Sequence, residues 1–260
     1  MPVVYFRTTD QYDQPELDAC KRHFHVVEQR TAIPGGSLVI PRYSMLPFGK
    51  ELEADVRNLG GELINTFRQH CYVAEMRNWY NDFKYITPKT WFRLQDIEGD
   101  GPFVLKGSTN SKKFSWNTHM YAKDRKAAGD VYMRLLEDGL VGTQEIVIRQ
   151  YVPLRNYGTM PSGIPISHEF RCFFYQNKLL SKAYYWANED VAPVDDIPQA
   201  FLDDVASRGC NNINFWVADL AQTEAGDWIV VELNDGCMSG LSRNDPDVLF
   251  SRLKEELNAL

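Results

Sequence analysis

"FWVADLAQTEAGDWIVVELNDG", Phe215 to Gly236, reads as two strands around a turn, with acids where a core hairpin should have none. Apolar and β-branched residues fill both halves, Ala225-Gly226 supplies the turn, and the second half ends on Glu232, Asn234 and Asp235. With Ala225-Gly226 as a two-residue loop, Glu224 faces Asp227, and counting back sets Asp219 directly opposite Glu232. Directly opposed residues share a face of the sheet, and so does Asn234, two residues further on. Two carboxylates about 5 Å apart repel by roughly 3 kcal/mol at an effective dielectric of ~20. A divalent cation offsets that repulsion. Magnesium, which prefers oxygen ligands and keeps several waters, suits two carboxylates and an amide better than zinc does. The bland alternative is a solvated face on which the acids happen to align. Asp235 points the other way and reads as part of the turn into Gly236.

The preceding hairpin carries the opposite charge. Ser167 to Tyr175 and Lys178 to Trp186 flank Gln176-Asn177, where asparagine tolerates the left-handed conformation. A two-residue loop there puts Arg171 opposite Lys182. Two cations opposed on strands of Phe, Tyr and Leu point to a shared polyanion; snorkelling to water is the alternative. Upstream, Lys106 ends a strand over Pro102–Lys106 and opens the loop Gly107-Ser-Thr-Asn-Ser-Lys-Lys113. Backbone amides and hydroxyls in such a loop, with Lys112 or Lys113, can hold phosphate oxygens. It is not the Walker pattern, which needs Gly-Lys-Ser/Thr after a four-residue spacer.

The first third alternates short apolar runs with helical patterns. Val3–Phe6, Val26–Val27, Ser37–Ile40 and Leu63–Ile64 are expected strands, and Gln14–His23 and Lys50–Leu59 expected helices. Such alternation favours an α/β layer with a largely parallel sheet. A helix is expected over Gln69–Phe83, and Thr87-Pro88 reads as the N-cap and first position of another. Beyond it come a strand at His119–Ala122, a helix from Asp124 to Glu137, a strand from Glu145 to Val152, and helices over Ala200–Cys210 and Asp245–Leu257. These α+β hairpins and helices contrast with the first third. The chain is expected to divide into residues 1–88, 89–147 and 148–260.

Composition excludes several classes. The 260 residues are 44% hydrophobic and 24% charged, without the run of about 18 apolar residues that spans a bilayer, so no membrane role is expected. The first residues form a strand pattern rather than a signal peptide, and a cytoplasmic location follows as the default. The five cysteines and five histidines lack metal-ligand spacing, which argues against zinc. The net charge of −7 speaks against a protein that coats nucleic acid, while leaving a modified nucleotide possible as substrate.

In chain order these pieces resemble the ATP-grasp superfamily. The residues that carry the resemblance are the strand lysine and its small-residue loop, "VIRQYVPL" (Val147–Leu154), "HEFRCFFYQNKLLSKAYYW" (His168–Trp186), "FWVADLA" (Phe215–Ala221) and "VELNDG" (Val231–Gly236). "FVLKGSTNSKKFSWNTHMYA", "PRYSMLPFGKELE" and "VELNDGCMSGLS" look closer still to a clade of small bacterial and phage ATP-grasp proteins. The resemblance implies an N-terminal α/β pre-ATP-grasp domain followed by two α+β subdomains that clamp ATP. It implies that Lys106 and the loop lysines, Lys113 included, sit on the nucleotide phosphates, and that Arg171 and Lys182 reach the triphosphate or acyl-phosphate oxygens. It implies that main-chain groups of Gln150, Tyr151 and Val152 meet the adenine edge, and that Asp219, Glu232 and Asn234 hold Mg2+.

The chemistry implied is an ADP-forming ligation of a small-molecule or peptide carboxylate to an amine or thiol through an acyl phosphate. Candidates for the acceptor side are Arg42, Tyr43 and Ser44 at a strand end, and Ser239, Ser242 and Arg243 just past the acidic strand. Arg77, Asn78, Trp79, Trp116 and His119 are further candidates, although aromatics at helical spacing are usually core. A nucleic-acid ligase that attaches AMP to lysine is the rival enzyme, but Lys106 lacks the Asp/Asn-Gly that should follow such a lysine. A nucleotide-binding module without catalysis is the other rival.

Overall fold

Residues 1–8, 13–187, 190–194 and 196–259 are described by the structure, a computed structural model. Strand β1 (Pro2–Phe6) is buried from Val3 onward, as a strand inside a parallel sheet should be. Helix α1 (Gln14–His23) leads to β2 (His25–Val27), and β3 (Leu38–Arg42), α2 (Gly49–Asn58) and β4 (Glu62–Leu63) continue the alternation. The sheet order is β2-β1-β3-β4, all pairs parallel. The segment expected as one helix over Gln69–Phe83 is two, α3 (Phe67–Ala74) and α4 (Met76–Phe83), broken at Glu75. Thr66 starts α3 with a capping box: its hydroxyl accepts the Gln69 N–H at 3.2 Å while the Gln69 side chain accepts the Thr66 N–H at 2.9 Å. Thr87-Pro88 starts no helix. Its hydroxyl instead donates to Val230 O at 2.7 Å, a tertiary contact in place of a cap.

A second sheet follows, antiparallel, in the order β5-β8-β6-β7. Its elements are β5 (Thr90–Trp91), β6 (Phe103–Gly107), α5 (Trp116–His119), β7 (Tyr121–Ala122), α6 (Arg125–Glu137) and β8 (Ile146–Gln150). The expected strand at His119–Ala122 thus gives its first residue to α5. Asp124 caps α6 by accepting the Ala127 N–H. A short ribbon of β9 (Asn156–Thr159) and β10 (Pro165–Ser167) intervenes, too short and too poor in alternation to be seen in the sequence.

The last sheet carries the polar strands. It is built from β11 (Glu169–Tyr175), β12 (Lys178–Tyr184), β13 (Phe215–Gln222) and β14 (Trp228–Asp235) in the order β12-β11-β13-β14, with α7 (Gln199–Gly209) and α8 (Pro246–Asn258) packed on it. Asp219 pairs with Glu232 as expected, by a different route. Gln222 pairs with Trp228 around a longer loop in which Gly226 takes φ 97°, and a bulge at Val231 then restores the register. In the other hairpin Gln176, rather than Asn177, takes positive φ, and a bulge at Leu180 moves the pairing by one. Arg171 therefore faces Ala183, and Lys182 faces Cys172; the expected opposition of Arg171 and Lys182 is corrected.

Three apolar clusters hold these layers. The first sheet and one face of the last share a core through Val4, Ile40, Phe173, Phe215 and Phe250. Helices α3 and α4 send Val73, Met76, Trp79 and Phe83 to the other face of the last sheet, against Phe174, Leu202 and Trp216. The second sheet keeps Phe103, Leu105, Val131, Leu135 and Ile148 to itself, and only Val147, on the other face of β8, joins the second cluster.

Candidate functional site

Asp219 and Glu232 sit opposite each other, Asp219 fully buried, and each is met by a cation. Arg171, opposite Asp219 on β11, donates from Nε and Nη2 to its two carboxylate oxygens at 2.9 and 2.8 Å, a bidentate pair. Lys106, near the end of β6, pairs with Glu232. Asn234 shares the face, its amide nitrogen 3.5 Å from Asp219 Oδ2. Burial opposes ionisation of Glu232, but Lys106, Lys113 and Arg171 outweigh it and hold the carboxyl at about 2. A third acid, Glu169, begins β11. Burial pushes its carboxyl up to about 7, against the pull of Lys113 and with the help of Asp219. Ser167 Oγ donates to Glu169 Oε2 at 2.6 Å and accepts from Trp186 Nε1 at 3.1 Å.

A cleft of about 910 Å³, its open mouth included, joins these charges to the end of β8. Lys106, Lys113, Glu169 and Glu232 line it, and so do Gln150, Tyr151, Val152 and apolar Val104 and Ile164. The Gln150 N–H is bonded to Lys89 O and the Tyr151 N–H to Pro102 O. A ring edge docking there would have to use the carbonyls or Val152. Lys113 donates to Tyr185 Oη at 2.6 Å; burial works against its charge, but Tyr185, Glu232 and Glu169 outweigh burial and keep the ammonium ionised. Lys112 is tied to Asp138 at 2.5 Å. Lys182, paired with Cys172, is directed by strand alternation to the face away from Asp219 and Glu232. Among the described residues, Lys106, Lys113 and Arg171 gather at the acids, with Arg149 also near Glu232, and strand alternation turns Lys182 away from them.

A second cavity, about 900 Å³ with its mouth, shares Glu232 with the first. Arg171, Asn234 and Ser239 line it, together with Ser44 and His70 from the first third of the chain and residues 108–110 of the small-residue loop. Arg42 does not reach it. Only 6% exposed, its guanidinium pairs with Glu16 at 2.6 Å and donates to the Gly236 and Ser239 carbonyls, fastening the segment after β14 to β3. Its expected role on a substrate carboxylate is corrected accordingly. Ser242 takes φ 55°, and exposed Arg243 donates to Val191 O over the Tyr184 ring; neither lines either cavity. Tyr43 packs on Tyr5, Arg77 pairs with Glu145, Asn78 donates to Cys71 O, Trp79 is core and His119 lies 2.8 Å from Thr118 Oγ1. Trp116 alone of those lesser candidates lines the first cleft. Asp235 is more than a turn residue: buried, it accepts from Asn65 Nδ2 and the Cys237 N–H, both at 2.8 Å, and stands 3.1 Å from His70 Nδ1.

A family model describing an ATP-grasp domain, family 3 of its clade, matches residues 94–253, the span that carries both cleft and acids. The chain belongs to this ATP-grasp family. Its fold is the ATP-grasp fold, with mixed α/β content and several sheets. Solved ATP-grasp structures agree with that fold at low identity. D-cycloserine synthetase DcsG superposes with a TM-score of 0.64 at 13% identity, covering 99% of this chain and 100% of that one. The ATP-grasp ligase PsnB, complexed with precursor peptide PsnA2 and AMPPNP, gives 0.62 at 10% identity, covering 99% and 97%. D-alanine–D-alanine ligase from Bacillus anthracis, complexed with ATP, gives 0.56 at 12%, covering 98% of each chain. No curated protein matches the sequence.

ATP-grasp ligases use ATP with Mg2+. Among the described residues, no group of three or more His, Cys, Asp or Glu side chains could hold a metal, and no helix is long and apolar enough to cross a membrane. Asp219, Glu232 and Asn234 supply two carboxylates and an amide on one sheet face. Such a set fits magnesium completed by phosphate oxygens and water. Two residues that line the cleft, Glu169 and Arg149, escaped the sequence reading. Glu169 lies two residues before Arg171 and so shares its face, a signal that period-two counting could have found. Arg149 carried no signal. Buried, it donates to the Val231 carbonyl at the bulge and to Thr87 Oγ1, and burial pushes its guanidinium down to about 10.

Proposed function

We propose that this ATP-grasp protein is an ADP-forming ligase that activates a carboxylate as its acyl phosphate and joins it to an amine or thiol. One observation carries the reading: a single cleft brings Lys106, Lys113 and the Gln150–Val152 segment to the acidic face of β13 and β14, and a second cavity opens beside the same Glu232. ATP lies with its adenine at Gln150–Val152 and its phosphates toward Lys106, Lys113 and Arg171. Asp219, Glu232 and Asn234 would hold magnesium, which when bound offsets the charge of the triphosphate. Lys106 and Arg171 stabilise charge on the γ-phosphoryl group as an oxygen–phosphorus bond forms to the substrate carboxylate and the bond to ADP breaks. The nucleophile then displaces phosphate and gives up a proton. No covalent enzyme nucleophile is needed. The substrates fall within amino acids, peptides and modified nucleotides, and solved relatives include a ligase complexed with a precursor peptide.

Titration calorimetry with Mg-ATP, followed by product analysis against carboxylate and amine libraries, tests the reading. ADP and phosphate are expected. AMP and pyrophosphate would overturn it, and ATP binding without turnover on any pair would leave a nucleotide-binding module.

A further inference from the structure

We propose that Tyr185 is a positioning residue: its ring, set between Lys113 and Arg171, holds both cations where the triphosphate meets them, an inference that rests on the ATP-grasp reading above. Tyr185 follows directly on β12, and its N–H bonds Glu169 O at 2.9 Å. Lys113 Nζ donates to its hydroxyl at 2.6 Å and lies 4.6 Å from the ring centroid. Arg171 Cζ lies 4.9 Å from the same centroid. The two cations come from different sheets, Lys113 from the loop after β6 and Arg171 from β11. Two like charges brought to one place repel; the hydroxyl accepts from Lys113 and the negative face of the ring attracts Arg171, so one neutral side chain holds both.

A phenol suits this task better than an acid. Burial raises the Tyr185 pKa, so the hydroxyl stays neutral and accepts from Lys113 without cancelling its charge. An aspartate or glutamate at this position would make a salt bridge that a phosphate would have to displace. Tyr185 does not line the cleft itself; Lys113 and the neighbouring Trp186 do. It therefore acts through the cations, and only on ligands long enough to reach them. In the ATP placement proposed above, a nucleoside triphosphate would extend from Gln150–Val152 to these charges, Lys113 in the cleft and Arg171 in the adjoining cavity, and a nucleoside monophosphate would stop short of them.

Titration calorimetry of the full chain with Mg-AMPPNP and with AMP, on wild type, Tyr185→Phe and Tyr185→Leu, tests the assignment. Tyr185→Phe keeps the ring and loses the hydrogen bond, and Mg-AMPPNP affinity is expected to fall about tenfold. Tyr185→Leu loses both, with a fall of about fiftyfold expected. AMP affinity is expected to stay within about twofold in both variants, since neither change touches the base end of the cleft. Equal losses for AMP and AMPPNP would show a merely structural role and overturn the inference, as would unchanged AMPPNP affinity in Tyr185→Phe. If the wild type bound neither nucleotide, the ATP reading would fall, and Tyr185 with it; normal wild-type binding that ignores Tyr185→Phe would remove Tyr185 alone.

Discussion

Glu232 borders both cavities, and Lys106, Lys113 and Arg171 all act on its charge. Glu232→Gln keeps the shape and a hydrogen-bond acceptor for Lys106. Magnesium-dependent ADP release is expected to fall by about 100-fold or more, because an amide oxygen offers a metal far less charge. Leaving buried Lys106 without its acid should cost stability near the lower end of ~3–5 kcal/mol. Circular dichroism should show an intact fold, and urea unfolding the loss. The two titrating acids also oppose each other with pH. Glu232, held at about 2 against an ordinary 4.5, contributes stability that is present above 4.5 and lost as pH falls toward 2. Glu169, raised to about 7 from 4.5, works the other way: the folded chain binds the extra proton, so its contribution is present below 4.5 and lost as pH rises through 7. Unfolding of the nucleotide-free protein between pH 4.5 and 7 should therefore lose stability as pH rises, and Glu169→Gln should flatten that slope. An unchanged slope would rule Glu169 out as its source. Asp235 shows the limit of residue-level reading: alternation turns it correctly away from Asp219, yet only tertiary structure supplies Asn65 and His70 on the other side.

Two hairpins of similar strand length were legible to different depths. In β13–β14 a longer loop and a bulge at Val231 shift the register in opposite senses, so counting from a two-residue loop arrives at the right pairing of Asp219 with Glu232. In β11–β12 the loop is two residues as expected, but the Leu180 bulge has no compensation, and every residue beyond it changes face. Bulges answer to packing and to hydrogen-bond donors elsewhere, as Arg149 donating to the Val231 carbonyl illustrates, and local patterning carries little trace of them. Register therefore predicts a contrast. Lys182→Met should leave Mg-ATP affinity within about twofold, whereas Arg171→Lys, which cannot reproduce a bidentate pair with Asp219, should lower it by tenfold or more. Calorimetry on the two variants checks this, and a large effect of Lys182→Met would place that lysine on the nucleotide after all.

At the scale of the molecule, helical spacing gave a reason to expect Trp79 in a core but not what buries it or its neighbours in α3 and α4. Their apolar stripe lies on the last sheet, 86 and more residues away in sequence, so a division drawn from local pattern places them with the strands they follow rather than the ones they cover. The parallel sheet and the last sheet share one core in the same way. The elements between them, β5 to β8 with α6, keep a core of their own. Separate cores imply separate cooperativity. In native-state hydrogen exchange, amides of β6 and α6 should open at a lower free energy than those of β1, β3 and β13, through a partial unfolding that leaves the larger block intact. A nucleotide held between Lys106 on one side and Arg171 on the other would tie the two blocks together. At 100 times its dissociation constant Mg-AMPPNP should add about 2.7 kcal/mol to the protection of the smaller block. A uniform exchange profile without nucleotide would show that the two blocks already melt as one. On this expectation the private core leaves the chain a weak seam, and a bound nucleotide would be the structural member that closes it.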